Sequence, residues 1–205
     1  MMQVVGARDR QRAATRAAIV DAATTAFVDG GYVGTTINAV AARAEVSPES
    51  IYLIFANKRS LLRAVMEAAA AGDREAVVDE SWLTAVIAEP DQRARLALMA
   101  RATRDVLRRV SAIDAVARAA AGSDPQIAEM CRVLDEQRRL DARRLVDLLA
   151  ECGPLRVPPE EAADLMWALS RSTDLYRSLT VDRGWSDRRA VAALEDVLAQ
   201  VLLPS

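Results

Sequence analysis

The sequence contains no histidine, and this absence removes the residue that most often serves as a general base in enzymes. A Ser–His or Cys–His catalytic pair is therefore impossible. The two cysteines, Cys131 and Cys152, lie far apart, and neither metal-ligand spacing nor a glycine-rich phosphate loop is present. The acidic residues are scattered and do not pair on an apolar background as a catalytic dyad would. We expect a protein that is not an enzyme and that uses no metal or cofactor.

Glycine, proline and aromatic residues are also scarce, with eight Gly, seven Pro and 4% aromatics in 205 residues. No alternating run is long enough to predict a sheet, so an all-α fold with an aliphatic, alanine-rich core is the simplest interpretation. No window reaches about 18 uninterrupted apolar residues, and the N-terminus lacks the apolar segment of a signal peptide. We therefore expect a cytoplasmic protein that has no membrane partner and whose two cysteines stay reduced.

The charge of the chain is nearly balanced, with 27 basic and 29 acidic residues and a net charge of −2. Such a chain does not coat nucleic acid as a polycation, so any DNA binding requires a local surface. Residues 1–60 carry a net charge of +2 and the remainder −4, which is a mild asymmetry of the right sign. The arginines at positions 8, 10, 12 and 16 either contact phosphates or form a solvated helix end.

Residues 35–62 show the pattern of two short helices that share a core. Thr36 precedes a helix from about Ile37 to Ala44, and Ser47 precedes a second helix with Pro48 at its first position. Helical spacing and the turn bring together Ile37, Val40, Ala41, Ala44, Val46, Ile51, Tyr52 and Phe55. This arrangement predicts a helix-turn-helix, whose second helix lies in the major groove of DNA.

The same periodicity predicts about nine helices in the whole chain. Besides the two above, the predicted helices are 8–29, ended by Gly30-Gly31, then 58–79, 92–110, 113–121, 125–151, 159–181 and 187–203. We divide the chain into a three-helix helix-turn-helix domain at 8–56, a connecting helix at 57–79 and a second helical domain at 80–205. For this second domain, effector binding and dimerisation are implied by the family resemblance that follows.

Residues 10–66 resemble the N-terminal DNA-binding domain of the tetracycline-repressor family. The similarity is carried by Thr35-Thr36, Ile37, Val40-Ala41, Ala44, Val46-Ser47, Ile51-Tyr52, Phe55, Lys58 and Leu61-Leu62, with Ala22-Ala23, Phe27 and Gly31-Tyr32 upstream. The resemblance implies a homodimeric transcription regulator, usually a repressor, that binds a roughly palindromic double-stranded DNA operator. A small molecule in the C-terminal domain would change the spacing of the two DNA-binding domains.

The resemblance also implies roles for individual residues of the helix-turn-helix. Thr36, Tyr52 and Lys58 would bind phosphates, while the helix at 48–54 would face the bases. The alternative for Lys58 is an ordinary solvated lysine. The predicted DNA-binding residues are Thr36, Arg43, Ser47, Pro48, Glu49, Ser50, Tyr52, Leu53 and Lys58.

This chain departs from the usual pattern of the family at three places. Glu45 and Glu49 stand where glycine is common, and Leu53-Ile54 stands where polar or aromatic residues are more common. A carboxylate repels phosphate but accepts from the cytosine amino group, and Leu53 can pack on a thymine methyl. Alternatively, both acids cap their helices and contact no base.

The effector half of the chain, residues 80–205, has fewer sequence features that indicate the function of single residues. The family resemblance places nine candidate effector-binding residues around a ligand cavity: Met99, Thr103, Met130, Leu134, Met166, Trp167, Ser170, Thr173 and Tyr176. They predict a mostly apolar or aromatic small-molecule effector, although such residues also occur as plain core. The predicted dimer interface is Leu165, Leu169, Leu194, Val197, Leu198 and Val201, with the alternative that some of them are core within one chain.

Two hypotheses for the function follow. The first is a ligand-responsive homodimeric DNA-binding regulator, which acts as a repressor. The second is a helical protein that binds a small molecule or a partner and has lost or weakened DNA binding, as Glu45, Glu49 and the low net charge suggest.

Overall fold

The computed structural model describes residues 6–71, 81–170 and 173–204, without the side chains of Ala7, Ala71, Ser81 and Ser170. These residues form helices and no strand, which confirms the all-α prediction. The α-helices are α1 (Ala7–Gly34), α2 (Ile37–Arg43), α3 (Pro48–Phe55), α4 (Lys58–Ala71), α5 (Ser81–Ala88), α6 (Gln92–Ala121), α7 (Pro125–Ala150), α8 (Pro159–Ser170), α9 (Thr173–Arg177) and α10 (Asp187–Leu202). None of the helices in this part of the chain combines the length and apolar character needed to cross a membrane.

Polar side chains begin most of these helices in the way that the sequence predicts. Thr36 accepts a hydrogen bond from the Ala39 amide, and Ser47 accepts one from the Ser50 amide. The Asn57 side chain accepts from the Ser60 amide at 2.9 Å and so begins α4. Each of these bonds satisfies an amide that has no partner within its helix.

Helix α1 confirms the predicted stop at the double glycine. The backbone of Gly31 has φ 68° and ψ 173°, so it leaves helical geometry, although the helical segment continues to Gly34. The Thr35 hydroxyl then donates to the Ala26 carbonyl at 2.8 Å, which folds the chain back onto α1. This turn sets the direction in which α2 starts.

Three details of the helix prediction are wrong. The predicted helices 92–110 and 113–121 are one helix, α6, because no glycine or proline interrupts them and Asp114 pairs with Arg118 one turn later. Helix α5 (Ser81–Ala88) lies between the predicted helices 58–79 and 92–110, where the prediction has no helix. The predicted helix 159–181 ends in a π-helical turn at Ser178–Asp182.

Two parts of that prediction fall on residues that the structure does not describe. Positions 171–172 within the predicted helix 159–181 are one of them. The other is the end of the predicted helix 58–79, beyond Ala71.

One apolar cluster joins the N-terminal domain to the helices that follow it. Ile51, Phe55 and the apolar faces of α1, α2 and α4 share this cluster with residues from the C-terminal part of α6 and the N-terminal part of α7. The contributions of α6 and α7 are Ile113, Ala117, Ala120, Ile127 and Cys131. We call this shared contact of α1 and α4 with α6 and α7 the junction. A second cluster lies among α6, α7, α8 and α10.

Among the residues that the structure describes, two that are not glycine have positive φ, and they lie on either side of α3. Glu45, in the turn before α3, has φ 53°. Ala56, directly after α3, has φ 62° and ψ −42°, and the Asn57 amide donates to the Phe55 carbonyl at 2.7 Å. Side chains with a Cβ are strained in these conformations. The direction of α3 is therefore fixed by two backbone turns that glycine would adopt without strain.

We predict that Glu45→Gly raises the free energy of unfolding by up to about 1 kcal/mol, because relief of left-handed strain exceeds the added entropy of the unfolded chain. The matched variant Glu49→Gly places the same change inside the first turn of α3, where glycine costs about 1 kcal/mol. Urea denaturation of both variants at equal protein concentration measures the difference. Equal destabilisation by both variants would contradict strain at Glu45.

Candidate nucleic-acid interface

Helix α3 is divided into a core face and an outward face. Ile51 and Phe55 are buried in the junction cluster, whereas Tyr52 is 52% exposed and Leu53 is 88% exposed. Glu49 in the first turn is also exposed. Glu49, Tyr52 and Leu53 therefore project from the protein and do not fill the core, whereas Pro48 and Ser50 are half-buried.

The three predicted phosphate-binding residues lie in different environments. Thr36 is exposed, and its hydroxyl accepts a hydrogen bond from the Ala39 amide at 3.1 Å. Tyr52 is also exposed, and within the described residues its hydroxyl makes no hydrogen bond. The Lys58 ammonium donates to the Thr35 carbonyl at 2.7 Å and lies 4.4 Å from the centre of the Tyr32 ring. Burial lowers the pKa of Lys58. Lys58 is thus not an ordinary solvated lysine: it ties the start of α4 to the turn before α2.

The basic residues near α3 are exposed around it. The Arg43 guanidinium lies 3.9 Å from the Asp29 carboxylate, and its side chain is 51% exposed. The Arg16 guanidinium stacks over the Phe55 ring at 5.5 Å, which places the first half of α1 beside α3. Arg8 and Arg12 are exposed on the preceding turns of α1.

The two unusual acids are both exposed, and neither is the capping residue of α3. That residue is Ser47, whose hydroxyl accepts from the Ser50 amide, whereas Glu49 lies in the first turn and Glu45 in the preceding turn. An acid in the first turn of a helix interacts favourably with the partial positive charge of the helix N-terminus. Their contact with DNA stays a prediction.

The N-terminal domain is also connected to the effector half by polar contacts at the junction. The Asp124 carboxylate accepts from the amides of Gln126 and Ile127, which begins α7, and it pairs with Arg59 of α4 at 3.3 Å. The pKa of Tyr32 is raised, first by burial and then by the Asp124 carboxylate, while the Arg59 guanidinium lowers it. A shift of α7 would therefore act directly on α4.

The nine predicted effector-binding residues are distributed over several parts of the described interior. Met130 and Leu134 line a cleft between α4 and α7, Met166 and Trp167 belong to the second cluster, and Tyr176 packs with Ala100 in a third. Met99, Thr103 and Thr173 are buried in the interior, and the side chain of Ser170 lies outside the described residues. The prediction that these residues bind an effector stays open.

A buried charge network connects three helices of the effector half, and sequence reasoning missed it. Asp114 is 2% exposed and accepts from the Thr173 hydroxyl at 2.6 Å, from Arg118 at 2.7 Å and from Arg138 at 2.9 Å. Burial raises the pKa of Asp114, but the Thr173 hydroxyl and the two guanidinium groups outweigh it, so the pKa is lowered. The four-residue spacing of Asp114 and Arg118 was the available sequence signal.

The six predicted dimer-interface residues separate by exposure. Leu194 and Leu198 are 7% and 2% exposed, so they are core residues of their own chain. Val197 is 42% exposed, while Leu165, Leu169 and Val201 are half-buried on α8 and α10. The exposed and half-buried residues leave an apolar strip on these two helices.

Together, these features define a class of protein, the helix-turn-helix DNA-binding regulators. Residues 19–65 match the sequence model of the N-terminal domain of bacterial regulatory proteins of the tetR family. This match identifies residues 19–65 as a DNA-binding domain of the tetR type, and it supports a role in transcription regulation. A comparison with curated protein sequences finds no match.

Solved structures have the same fold along nearly their whole length. A candidate TetR-family regulator from Syntrophomonas wolfei has a TM-score of 0.71 at 18% identity, over 91% of this chain and 93% of that chain. A candidate regulator from Saccharomonospora viridis, in complex with choline, has a TM-score of 0.69 at 17% identity, over 94% and 100%. NalD, the secondary repressor of the MexAB-OprM multidrug efflux pump in Pseudomonas aeruginosa, has a TM-score of 0.64 at 18% identity, over 92% and 96%.

We predict that Asp114→Asn lowers the free energy of unfolding by about 1–3 kcal/mol, because it weakens three hydrogen bonds to a buried carboxylate. Arg118 and Arg138 keep Asp135 as a charged partner at 2.7 and 3.3 Å. The matched variant Asp147→Asn breaks an exposed pair with Arg143 at the same four-residue spacing and costs about 0.5 kcal/mol or less. Urea denaturation at pH 7 compares the two.

The same variant has a defined pH dependence. Because the folded pKa of Asp114 is lowered, its stabilisation is complete above the unfolded pKa of about 3.9 and is lost as the pH falls through the folded value. The difference between the wild type and Asp114→Asn is therefore constant from pH 7 to 5 and shrinks below about pH 4. A difference that shrinks between pH 7 and 5 would contradict this assignment.

Proposed function

We propose that this regulator is a homodimeric repressor that binds a roughly palindromic operator through α3 and releases it when a small apolar effector binds. The observation that carries the proposal is the outward face of α3. Its exposed residues fill no space in the protein, while the opposite face is held rigidly by the junction cluster.

Contacts to DNA follow from the dimensions of the major groove, which admits one α-helix. Ser47, Pro48 and Glu49 lie at the N-terminal end of α3, the end that faces base edges in a helix-turn-helix. The Glu49 carboxylate can accept from a cytosine amino group, and Leu53 can pack on a thymine methyl. Thr36 and Tyr52 would bind phosphates on either side and set the register without reading sequence.

Dimerisation is supported by the apolar strip on α8 and α10. Leu165, Leu169 and Val201 are half-buried and Val197 is 42% exposed, so a second copy of the same strip would cover apolar surface that now contacts solvent. Leu194 and Leu198 would support the strip from within the chain. A two-fold dimer also presents two α3 helices to a palindrome, as the operator symmetry requires.

The route from an effector to DNA is supported by the junction. Ile113, Ala117 and Ala120 of α6 lie in the same cluster as the core of the N-terminal domain, so movement of α6 cannot leave that domain in place. The similarity to NalD, a repressor, and to a regulator in complex with choline supports a repressor that responds to small molecules.

The alternative is a helical binding protein without DNA affinity, which Glu45 and Glu49 favour because both carboxylates are exposed beside α3. Both hypotheses keep the fold and the apolar strip. They differ only in whether the outward face of α3 has a partner, so a DNA experiment separates them.

We expect selection from random double-stranded DNA at low salt to enrich a palindrome, with half-sites one helical turn apart or a multiple of it. Tyr52→Phe removes one hydroxyl donor and should weaken binding to every sequence by up to about tenfold. Leu53→Ala should instead relax the preference at one base position. Fluorescence anisotropy against the selected site and its single-base variants measures both effects.

Leu140→Ala is the matched control for Leu53→Ala, because Leu140 is 54% exposed on α7, away from α3. It should leave affinity and preference unchanged. If no palindrome is enriched at low salt, the repressor proposal fails and the alternative is favoured.

We predict that Val197→Asp weakens the dimer at least about a hundredfold, because the symmetric interface loses two apolar side chains and gains two charges. Val133→Asp is the matched control, since Val133 has the same 42% exposure on α7. Sedimentation analysis across protein concentration measures the dissociation constants. Equal effects of the two variants would place the interface elsewhere.

A further inference from the structure

A cleft lies between the C-terminal end of α1 and the outer face of α6, outside the nine predicted effector-binding residues. Its volume is about 420 Å³, within the range of small-molecule sites. One wall is the segment Gly30–Gly34, which includes Tyr32, and the other is a row of small residues on α6, including Ala112, Ala115 and Ala119. Arg177 of α9 lies at its edge.

The charge of this cleft is not balanced. Arg177 is the one charged side chain among the residues that line it, and no acidic residue is part of the lining. Within the described parts of the chain, this guanidinium makes no hydrogen bond and no ion pair. Its donors are therefore available to an anion that enters between α1 and α6.

The second cleft of the junction, between α4 and α7, differs in this respect. It is larger, about 530 Å³, but its cations are already paired. Arg59 contacts Asp124 at 3.3 Å, and Arg63 contacts Glu67 at 3.8 Å. An anion would have to displace a carboxylate there, whereas at Arg177 it would displace only water.

We propose that the α1–α6 cleft binds a small apolar molecule that carries a single carboxylate. The guanidinium of Arg177 would take the carboxylate, because its planar donors match the two carboxylate oxygens. The apolar body would lie along Ala112, Ala115 and Ala119, which are small enough to leave space against α1.

A molecule in this cleft would contact Tyr32, whose ring is involved in two other contacts. The ring stacks on Phe27 with centroids 5.9 Å apart, and it carries the Lys58 ammonium at 4.4 Å. Lys58 in turn holds the Thr35 carbonyl before α2. Occupancy would therefore alter the placement of α2 and α3. This regulatory consequence rests on the proposed function, whereas binding itself does not.

The test uses the full chain and two fluorescent probes that differ by one charge. The probe 1-anilinonaphthalene-8-sulfonate is an apolar anion, and N-phenyl-1-naphthylamine is its neutral counterpart. Arg177→Gln should weaken binding of the anion by about tenfold or more while it changes binding of the neutral probe by less than about twofold. The matched control Arg188→Gln removes an exposed arginine of α10 and should change neither.

A second variant tests the position of the site without removing charge. Ala119→Trp fills the cleft from the exposed side of α6 and should weaken both probes, whereas Ala150→Trp, at the exposed end of α7, should weaken neither. Circular dichroism melting confirms that each variant is folded. Decanoate should displace the anionic probe, and decanol at the same concentration should not.

Three results would overturn the proposal. They are equal losses for Arg177→Gln and Arg188→Gln, unchanged binding of the anion to Ala119→Trp, and displacement by decanol as effective as by decanoate. All three are measured without DNA, so they remain decisive if no operator is found. If the probes bind as expected but decanoate leaves a selected operator bound, the binding site stands and its regulatory consequence fails.

Discussion

The fold depends on one apolar contact, the burial of the C-terminal part of α6 against α1 and α4. Ile113 and Ala117 belong to the same cluster as Ile51 and Phe55 of the helix-turn-helix, so the two halves of the chain share a core. A close-packed interior transmits displacement because it has no spare volume to absorb it. The small side chain of Ala117 at this contact lets the helices approach closely, and polar contacts such as Arg59 with Asp124 then fix their relative rotation. The N-terminal domain is thereby held in an orientation that the effector half determines.

The helix-turn-helix could be predicted almost completely from the sequence, because its determinants are local. The caps at Thr36, Ser47 and Asn57 and the double glycine act within a few residues of themselves, and the structure confirms each of them. The turn before α3 shows how local such determinants are, since Glu45 adopts the positive φ that the usual glycine would supply. When the structural role of a residue depends only on the four or five residues adjacent to it in sequence, that role can be predicted before any tertiary contact is known.

The effector half was less predictable because its determinants connect distant parts of the chain. The Asp114 carboxylate joins α6 to Arg138 and Thr173, which are 24 and 59 residues away in sequence. Apolar periodicity identifies the buried face of a helix but not its neighbour, so it could not show that Met130 and Met166 lie in different clusters. For the same reason, it could not show that Leu194 is buried within its own chain.

The exposure of Leu53 has a consequence for how such regulators diverge. A side chain that is 88% exposed contributes little to folding, so under the proposed function its replacement would change which bases α3 reads without a cost in stability. Tyr32 has the opposite property, since one ring packs in the core, supports Lys58 and forms a wall of a cleft. Under the proposed function, single substitutions on the outward face of α3 would therefore change the operator preference at little cost in stability. In the proposed carboxylate site, Arg177 and Ala119 make fewer contacts within the protein than Tyr32, so ligand preference would change more readily at these two positions.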